Sequence, residues 1–162
     1  MGPVLLALAV FIAMEPITTV VHRIVMHGRG WGWHRSHHRP TTGRFEANDL
    51  YPVVFSALTI AVLCVGVFGG VGVLVPVGIG VTAYGAAYTL LHDVAIHRRL
   101  PIRTPGRLLD PWRRAHAVHH RWNGAPYGFL VPVVPRRLRD REESNPVAAE
   151  AVARPMGQAR VR

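Results

Sequence analysis

From Leu50 to Leu91 the chain runs forty-two residues without an Asp, Glu, Lys, Arg or His. A helix that crosses a bilayer needs about 20 apolar residues. This run therefore predicts two spans, 50–68 and 73–91, joined by Gly69-Gly70-Val71-Gly72. So short a connection admits only an antiparallel hairpin of helices. Residues 1–21 carry one charge, Glu15, and predict a third span over 3–21. A secretory signal is the competing reading of that segment. The lack of a basic stretch before it, and its continuation past Glu15-Pro16 to Val21, favour a retained helix. The expected fold is all-α, an integral membrane protein of about three spans, and 162 residues leave room for one domain.

The charges predict orientation. All nineteen basic residues are arginine, against nine acids, for a net charge of +10. Arg23, Arg29, Arg35, Arg39 and Arg44 follow the first span, and Arg98, Arg99, Arg103, Arg107, Arg113, Arg114 and Arg121 follow the third. The positive-inside rule puts both segments in the cytoplasm, with the N-terminus and the hairpin turn outside, in the inner (plasma) membrane. Nucleic acid, the other usual partner of so basic a chain, is not expected, because orientation and anionic headgroups account for the arginines. Beyond Pro135 the sequence turns to Arg, Glu, Ala and Pro without apolar period. A membrane domain is thus expected over 1–135 and a disordered tail over 136–162. The single cysteine, Cys64, excludes an internal disulfide and thiolate clusters.

Ten histidines fall into two matched sets. His22 and His27 are spaced H-x4-H, and His34, His37 and His38 are spaced H-x2-H-H. His92 and His97 repeat the first pattern; His116, His119 and His120 repeat the second. Positions i, i+3 and i+4 share a helical face, so each H-x2-H-H would aim three imidazoles one way. For the second copy, Asp110 offers an N-cap and Pro111 a first helical residue. In H-x4-H the two positions diverge by about 140° on a regular helix. Either the first histidine ends a span and the second lies just beyond, with Gly28 as a stop signal, or a π-bulge aligns them. With three spans, both H-x4-H pairs emerge on one membrane face, beside both H-x2-H-H segments.

Imidazole is the commonest metal ligand, and ten nitrogens exceed one ion. Two six-coordinate ions with open positions suit the set. An all-nitrogen site at a bilayer edge points to non-haem iron activating O2 on a lipid-soluble substrate, with zinc the competitor on ligand type alone. A metal transporter should place its ligands near the midplane, and no histidine lies in the long apolar run.

The ordered motifs resemble the membrane fatty-acid hydroxylase superfamily and, within it, the β-carotene 3-hydroxylases. The resemblance covers roughly residues 15–130. It includes Met26-His27-Gly28, Trp31-Gly32-Trp33-His34, Ser36-His37-His38 with Pro40, and Phe45-Glu46-Ala47-Asn48-Asp49-Leu50. It continues through His92-Asp93, His97-Arg98-Arg99-Leu100-Pro101, His116…His119-His120 and Asn123-Gly124-Ala125-Pro126-Tyr127-Gly128. From His120 to Tyr127 the chain is closer to the shorter plant-type stretch than to the longer loop of many bacterial members. The resemblance implies a non-haem di-iron monooxygenase using O2 and ferredoxin electrons to hydroxylate C3 of each β-ionone ring. β-Carotene would pass through β-cryptoxanthin to zeaxanthin. A ketolase, or a fatty-acid or sterol hydroxylase, is the alternative within the superfamily. All ten histidines are the expected ligands of two irons. Glu46, Asn48, Asp49 and Asp93 are candidates to accept a hydrogen bond from a ligand imidazole. The short apolar run 127–134, with Tyr127 and Phe129, is a candidate lining for the substrate ring. Glu15, a carboxyl inside a span, is expected to make a structural hydrogen bond. Arg98, Arg99, Arg113, Arg114 and Arg121 are candidates to dock an acidic electron donor.

Overall fold

The computed structural model describes residues 2–39, 43, 45–102 and 106–144. Every regular element among them is helical, and the protein is an all-α integral membrane protein. The helices are α1 (Pro3–Val21), α2 (Trp31–His34), α3 (Leu50–Phe68), α4 (Leu74–Tyr88), α5 (Asp110–Trp122) and α6 (Arg136–Glu143). Both α1 and α4 pass directly into π-helix, over His22–Arg29 and Thr89–Ile96. Three helical stretches are long and apolar enough to cross a membrane: Pro3–Arg29, Ala47–Phe68 and Leu74–Ile96. They coincide with the three predicted spans, the first and third carried further by the π segments.

The chain divides into two compact units, 1–87 and 88–162. In the first, α1 and α4 pack closely enough that a Cβ on Gly80 would collide with the Ala7 carbonyl and Val10. Lipid tails are as apolar as leucine, so such close approach, with hydrogen bonds, is what holds helices together in a bilayer. Here the Tyr84 hydroxyl donates to Glu15 Oε2 at 2.6 Å and lies 2.7 Å from Thr18 Oγ1. The intramembrane carboxyl is thereby tied across the seam. Side chains such as Val4, Ile12, Val53, Leu58 and Ile60 remain exposed on the spans, as a lipid-facing surface requires. Among the described residues, the two most deeply buried large side chains are instead His34 and His119.

In the second unit, Val94, Ala95, Ile96, Ala115 and Val118 are buried. Arg113 donates to the carbonyls of Ala95 (3.3 and 3.4 Å) and Gly106 (2.9 Å), so its guanidinium serves the fold. Asp110 does not cap α5 as expected. The 3₁₀ turn Arg107–Leu109 leads straight in, Leu109 takes the N-cap position, and Asp110 sits 3.6 Å from Arg113.

Residues 136–143, whose composition predicted no ordered element, form α6. The Glu142 carboxylate accepts hydrogen bonds from Arg121 Nη1 (2.5 Å) and Trp122 Nε1 (2.6 Å), and the Arg141 guanidinium stacks 3.5 Å over the Trp122 ring. Composition missed α6 because its partners lie on α5. Residues 145–162 of the expected tail lie outside the described residues.

Candidate metal centre

The two H-x4-H pairs are aligned by π-helix, the second of the two arrangements their spacing allowed. The His97 N–H donates to the His92 carbonyl at 2.9 Å, and the Gly30 N–H to the Val25 carbonyl at 2.7 Å. These i→i+5 bonds widen the turn, so residues five apart return to one side. The rings of His22 and His27 are 5.0 Å apart, and those of His92 and His97 are 4.6 Å apart. The first π segment kinks at Gly28, where ψ is −117°.

In the first unit, four imidazoles gather around His34. Its Nε2 lies 3.0 Å from His22 Nε2 and 3.1 Å from His38 Nε2. One ring nitrogen from each of His22, His27 and His34 falls within 4.8 Å of the others. The H-x2-H-H stretch here is not a continuous helix, because α2 ends at His34 and turns follow. Its order comes from the next segment. His34 Nδ1 donates to Asn48 Oδ1 at 2.8 Å, and His37 Nδ1 pairs with Glu46 Oε2 at 3.3 Å. Asn48 is itself held, its N–H donating to Ser36 Oγ at 3.0 Å. Asp49 accepts the Glu46 N–H at 2.9 Å, closing a capping box. The Tyr51 hydroxyl donates to the Gly30 carbonyl at 2.8 Å, an approach only glycine permits, since a Cβ there would overlap the hydroxyl. Burial lowers the pKa of His34 to about 4, with the Asn48 hydrogen bond pulling the other way. At neutral pH the ring is thus uncharged, the form in which imidazole binds a metal.

In the second unit, α5 supplies what the first copy lacks. It is a regular helix over Asp110–Trp122, so His116, His119 and His120 share a face. His97 Nε2 and His116 Nε2 are 2.7 Å apart, and one nitrogen from each of His92, His97 and His116 falls within 4.8 Å of the others. His92 Nδ1 pairs with Asp93 Oδ1 at 2.8 Å. His119 Nδ1 donates to the Gly124 carbonyl at 2.5 Å. Asn123 makes that return possible by ending α5 in the left-handed region at φ 49°, which asparagine tolerates better than most residues. Tyr88 stacks on His92 at 4.7 Å, and Phe129 meets both rings edge-on, at 4.6 Å from Tyr88 and 5.9 Å from His92. Tyr127 lies 5.6 Å from the His119 ring. Trp112 Nε1 donates to the Leu130 carbonyl at 2.8 Å, holding this strap down. The space left beside His92, His116, Trp112 and Phe129 is about 10 Å³, roughly one water.

Three of the four candidate acceptors thus meet an imidazole directly, and Asp49 braces one of them. Sequence reasoning missed Tyr88, Trp31 and the Gly124 carbonyl. Tyr88 precedes His92 by four residues, a spacing that could have flagged it. Trp31 packs on His27 and His38, each at 5.3 Å. A backbone acceptor leaves no trace in residue identity.

These donors fit a metal. At His34, His37, His92 and His119 an acceptor engages Nδ1, which leaves Nε2 with its lone pair outward. One lone pair on His34 cannot serve both His22 and His38, whereas a cation shared among the nitrogens satisfies all three. An all-imidazole set suits iron, zinc, copper or nickel rather than magnesium or calcium.

Comparison with known proteins agrees. The sequence profile described as fatty acid hydroxylase matches residues 7–138. A beta-carotene hydroxylase of Pantoea ananas is 45% identical over 133 residues, covering 76% of this chain and 75% of that protein. A beta-carotene hydroxylase of a Paracoccus species is 37% identical over 158 residues, covering 93% and 97%. The chloroplastic beta-carotene 3-hydroxylase 1 of Arabidopsis thaliana is 35% identical over 153 residues, 88% of this chain and 48% of the longer plant protein. No solved structure matches.

Proposed function

The chain belongs to the fatty acid hydroxylase family, and from that premise we propose that it is a carotenoid β-ring 3-hydroxylase, converting β-carotene through β-cryptoxanthin to zeaxanthin. It is an oxygenase of the membrane, and its histidine clusters fit a metal-dependent one. The observation that carries the proposal is the engagement of Nδ1 on His34, His37, His92 and His119, in a chain whose curated relatives are named for carotene hydroxylation.

In this reading His22, His27, His34, His37, His38, His92, His97, His116, His119 and His120 hold two non-haem iron ions on the cytoplasmic side. Iron held there would supply the reductive activation of O2, in which one oxygen atom enters a ring C–H bond and the other leaves as water, using two protons, and two electrons from a ferredoxin-type donor. The chain's own residues do the positioning. Asn48, Glu46, Asp93 and the Gly124 carbonyl fix the orientation of four imidazoles and raise their basicity. Tyr88, Phe129 and Trp112 close apolar surface over His92 and His116, leaving little room for stray water. Tyr127 and Phe129 line the approach of the ring, which arrives from the bilayer because the substrate has no aqueous route. Arg113 and Arg121 are committed to internal bonds. Docking of an acidic donor therefore falls to the other expected arginines, Arg98, Arg99 and Arg114, joined by Arg136, Arg137 and Arg139 on α6, all exposed.

The test is expression in cells that accumulate β-carotene, followed by pigment analysis. Zeaxanthin, preceded by β-cryptoxanthin, is expected. Accumulation of a keto-carotenoid would overturn the hydroxylation, and unaltered β-carotene would overturn the substrate.

A further inference from the structure

The seam between α1 and α4 is unevenly packed. Partway along it Tyr84, Glu15 and Thr18 bond across at 2.6–2.7 Å. Toward the N-terminal ends of both helices it opens into a groove of about 340 Å³, lined by Ala7, Phe11, Val75, Ile79 and Ala83 among others, all apolar. Phe11 closes its inner end, edge-on to Tyr84 at 5.9 Å. None of these residues takes part in the chemistry above.

The position of the groove is informative. An α-helix rises about 1.5 Å per residue, so the stretch Pro3–Phe11 lies about 17–28 Å along α1 from His22. A linear C40 polyene with a ring at each end is comparable in length with the ~30 Å hydrocarbon core of a bilayer. With one ring at the histidines, the other reaches the depth of the groove. A bulky ring on a stiff rod needs a wide cleft at a fixed distance, whereas a flexible lipid tail needs neither.

Building on the carotenoid substrate proposed above, we infer that the α1–α4 groove is the subsite for the distal ring, so that the protein measures its substrate from ring to ring. The groove contributes binding to long two-ring carotenoids and nothing to short one-ring polyenes. Its lining residues are specificity determinants remote from the metal.

The experiment compares two substrates, β-carotene and a one-ring C20 polyene, with the full-length holoenzyme in vesicles. Ala83→Phe and Ile79→Trp place bulk into the groove from lipid-exposed positions. The expected result is a fall of at least tenfold in the ratio of kcat/KM for β-carotene to that for the C20 polyene. A ratio that stays at the wild-type value, whether both activities fall together or neither changes, contradicts the inference. Wild-type protein that hydroxylates neither substrate would instead contradict the carotenoid reading itself. A second measurement needs neither turnover nor a variant. A two-ring C40 analogue bearing a diazirine on one ring should cross-link within residues 3–11 or 75–83, and excess β-carotene should suppress the labelling. Labelling spread evenly over the lipid-facing Val53, Leu58 and Ile60 of α3 would overturn the subsite.

Discussion

The two histidine sets repeat one spacing on two different supports. Both H-x4-H pairs ride on π-helix at the end of a span. The H-x2-H-H stretches then part company. The second is written into a thirteen-residue helix that fixes its three imidazoles by register and returns a backbone carbonyl to His119. The first lies on a four-residue helix and a run of turns, and borrows its order from the side chains of Asn48 and Glu46. Equal histidine spacing does not imply equal mechanical support. The set with less helix has more side-chain acceptors, so mutations outside the histidines should hurt the two sets unequally.

The histidines themselves should not show this asymmetry. His34→Ala and His119→Ala are each expected to reduce zeaxanthin formation at least about 100-fold while membrane insertion is unchanged, as checked by pigment analysis alongside quantification of the membrane fraction. Full turnover in one variant would break the equivalence of the two sets.

The acceptors should show it. Loss of a partner to a metal-bound histidine typically costs about 10–100-fold in metal affinity or activity. Asn48→Leu should fall in that range by iron content and by turnover, with partial recovery in Asn48→Asp. Gly124→Ala should cost less than about twofold. It keeps the carbonyl that serves His119, and a Cβ there meets nothing closer than 3.6 Å. Equal losses at Asn48 and Gly124 would erase the contrast between side-chain and backbone support.

Smaller effects should come from the helix ends of the second unit. Asn123→Val forces a β-branched residue into the left-handed region, at about 1–2 kcal/mol, while Asn123→Gly should be close to neutral. Glu142→Ala removes the acceptor for Arg121 and Trp122. A loss of about 1 kcal/mol would lower Tm by roughly 2–4 °C for a chain of this size, read by thermal unfolding in detergent. An unchanged Tm would mean that α6 does not brace the end of α5.

Much of this molecule was legible in the sequence because two patterns are strong. An uncharged run from Leu50 to Leu91 allows little besides a helical hairpin in a bilayer, and α3 begins and ends where that run predicted. The histidine spacing marked the candidate ligands, and Asn48, Glu46 and Asp93 were visible as neighbours able to accept a hydrogen bond. Less legible were features that depend on non-local geometry. The H-x4-H spacing fits a broken helix and a π-helix equally well; backbone bonds such as those from His97 to the His92 carbonyl and from Gly30 to the Val25 carbonyl separate them. The Gly124 carbonyl is invisible to any reading of side chains. Helix α6 is polar throughout except for Leu138, so composition gave no reason to expect it, and the bonds of Glu142 lie twenty residues away. Asp110 looked like a cap because Pro111 follows it, but the preceding turn had already set helical geometry.

Iron content per chain tests the central claim most directly. Protein purified in mild detergent from iron-replete cells, measured by elemental analysis together with its zeaxanthin-forming activity, should carry two iron ions per chain and lose both metal and activity on chelation. His34→Ala and His119→Ala should each bind less than the wild type. Full activity in protein that holds zinc or no metal, or unchanged iron in both variants, would contradict the account.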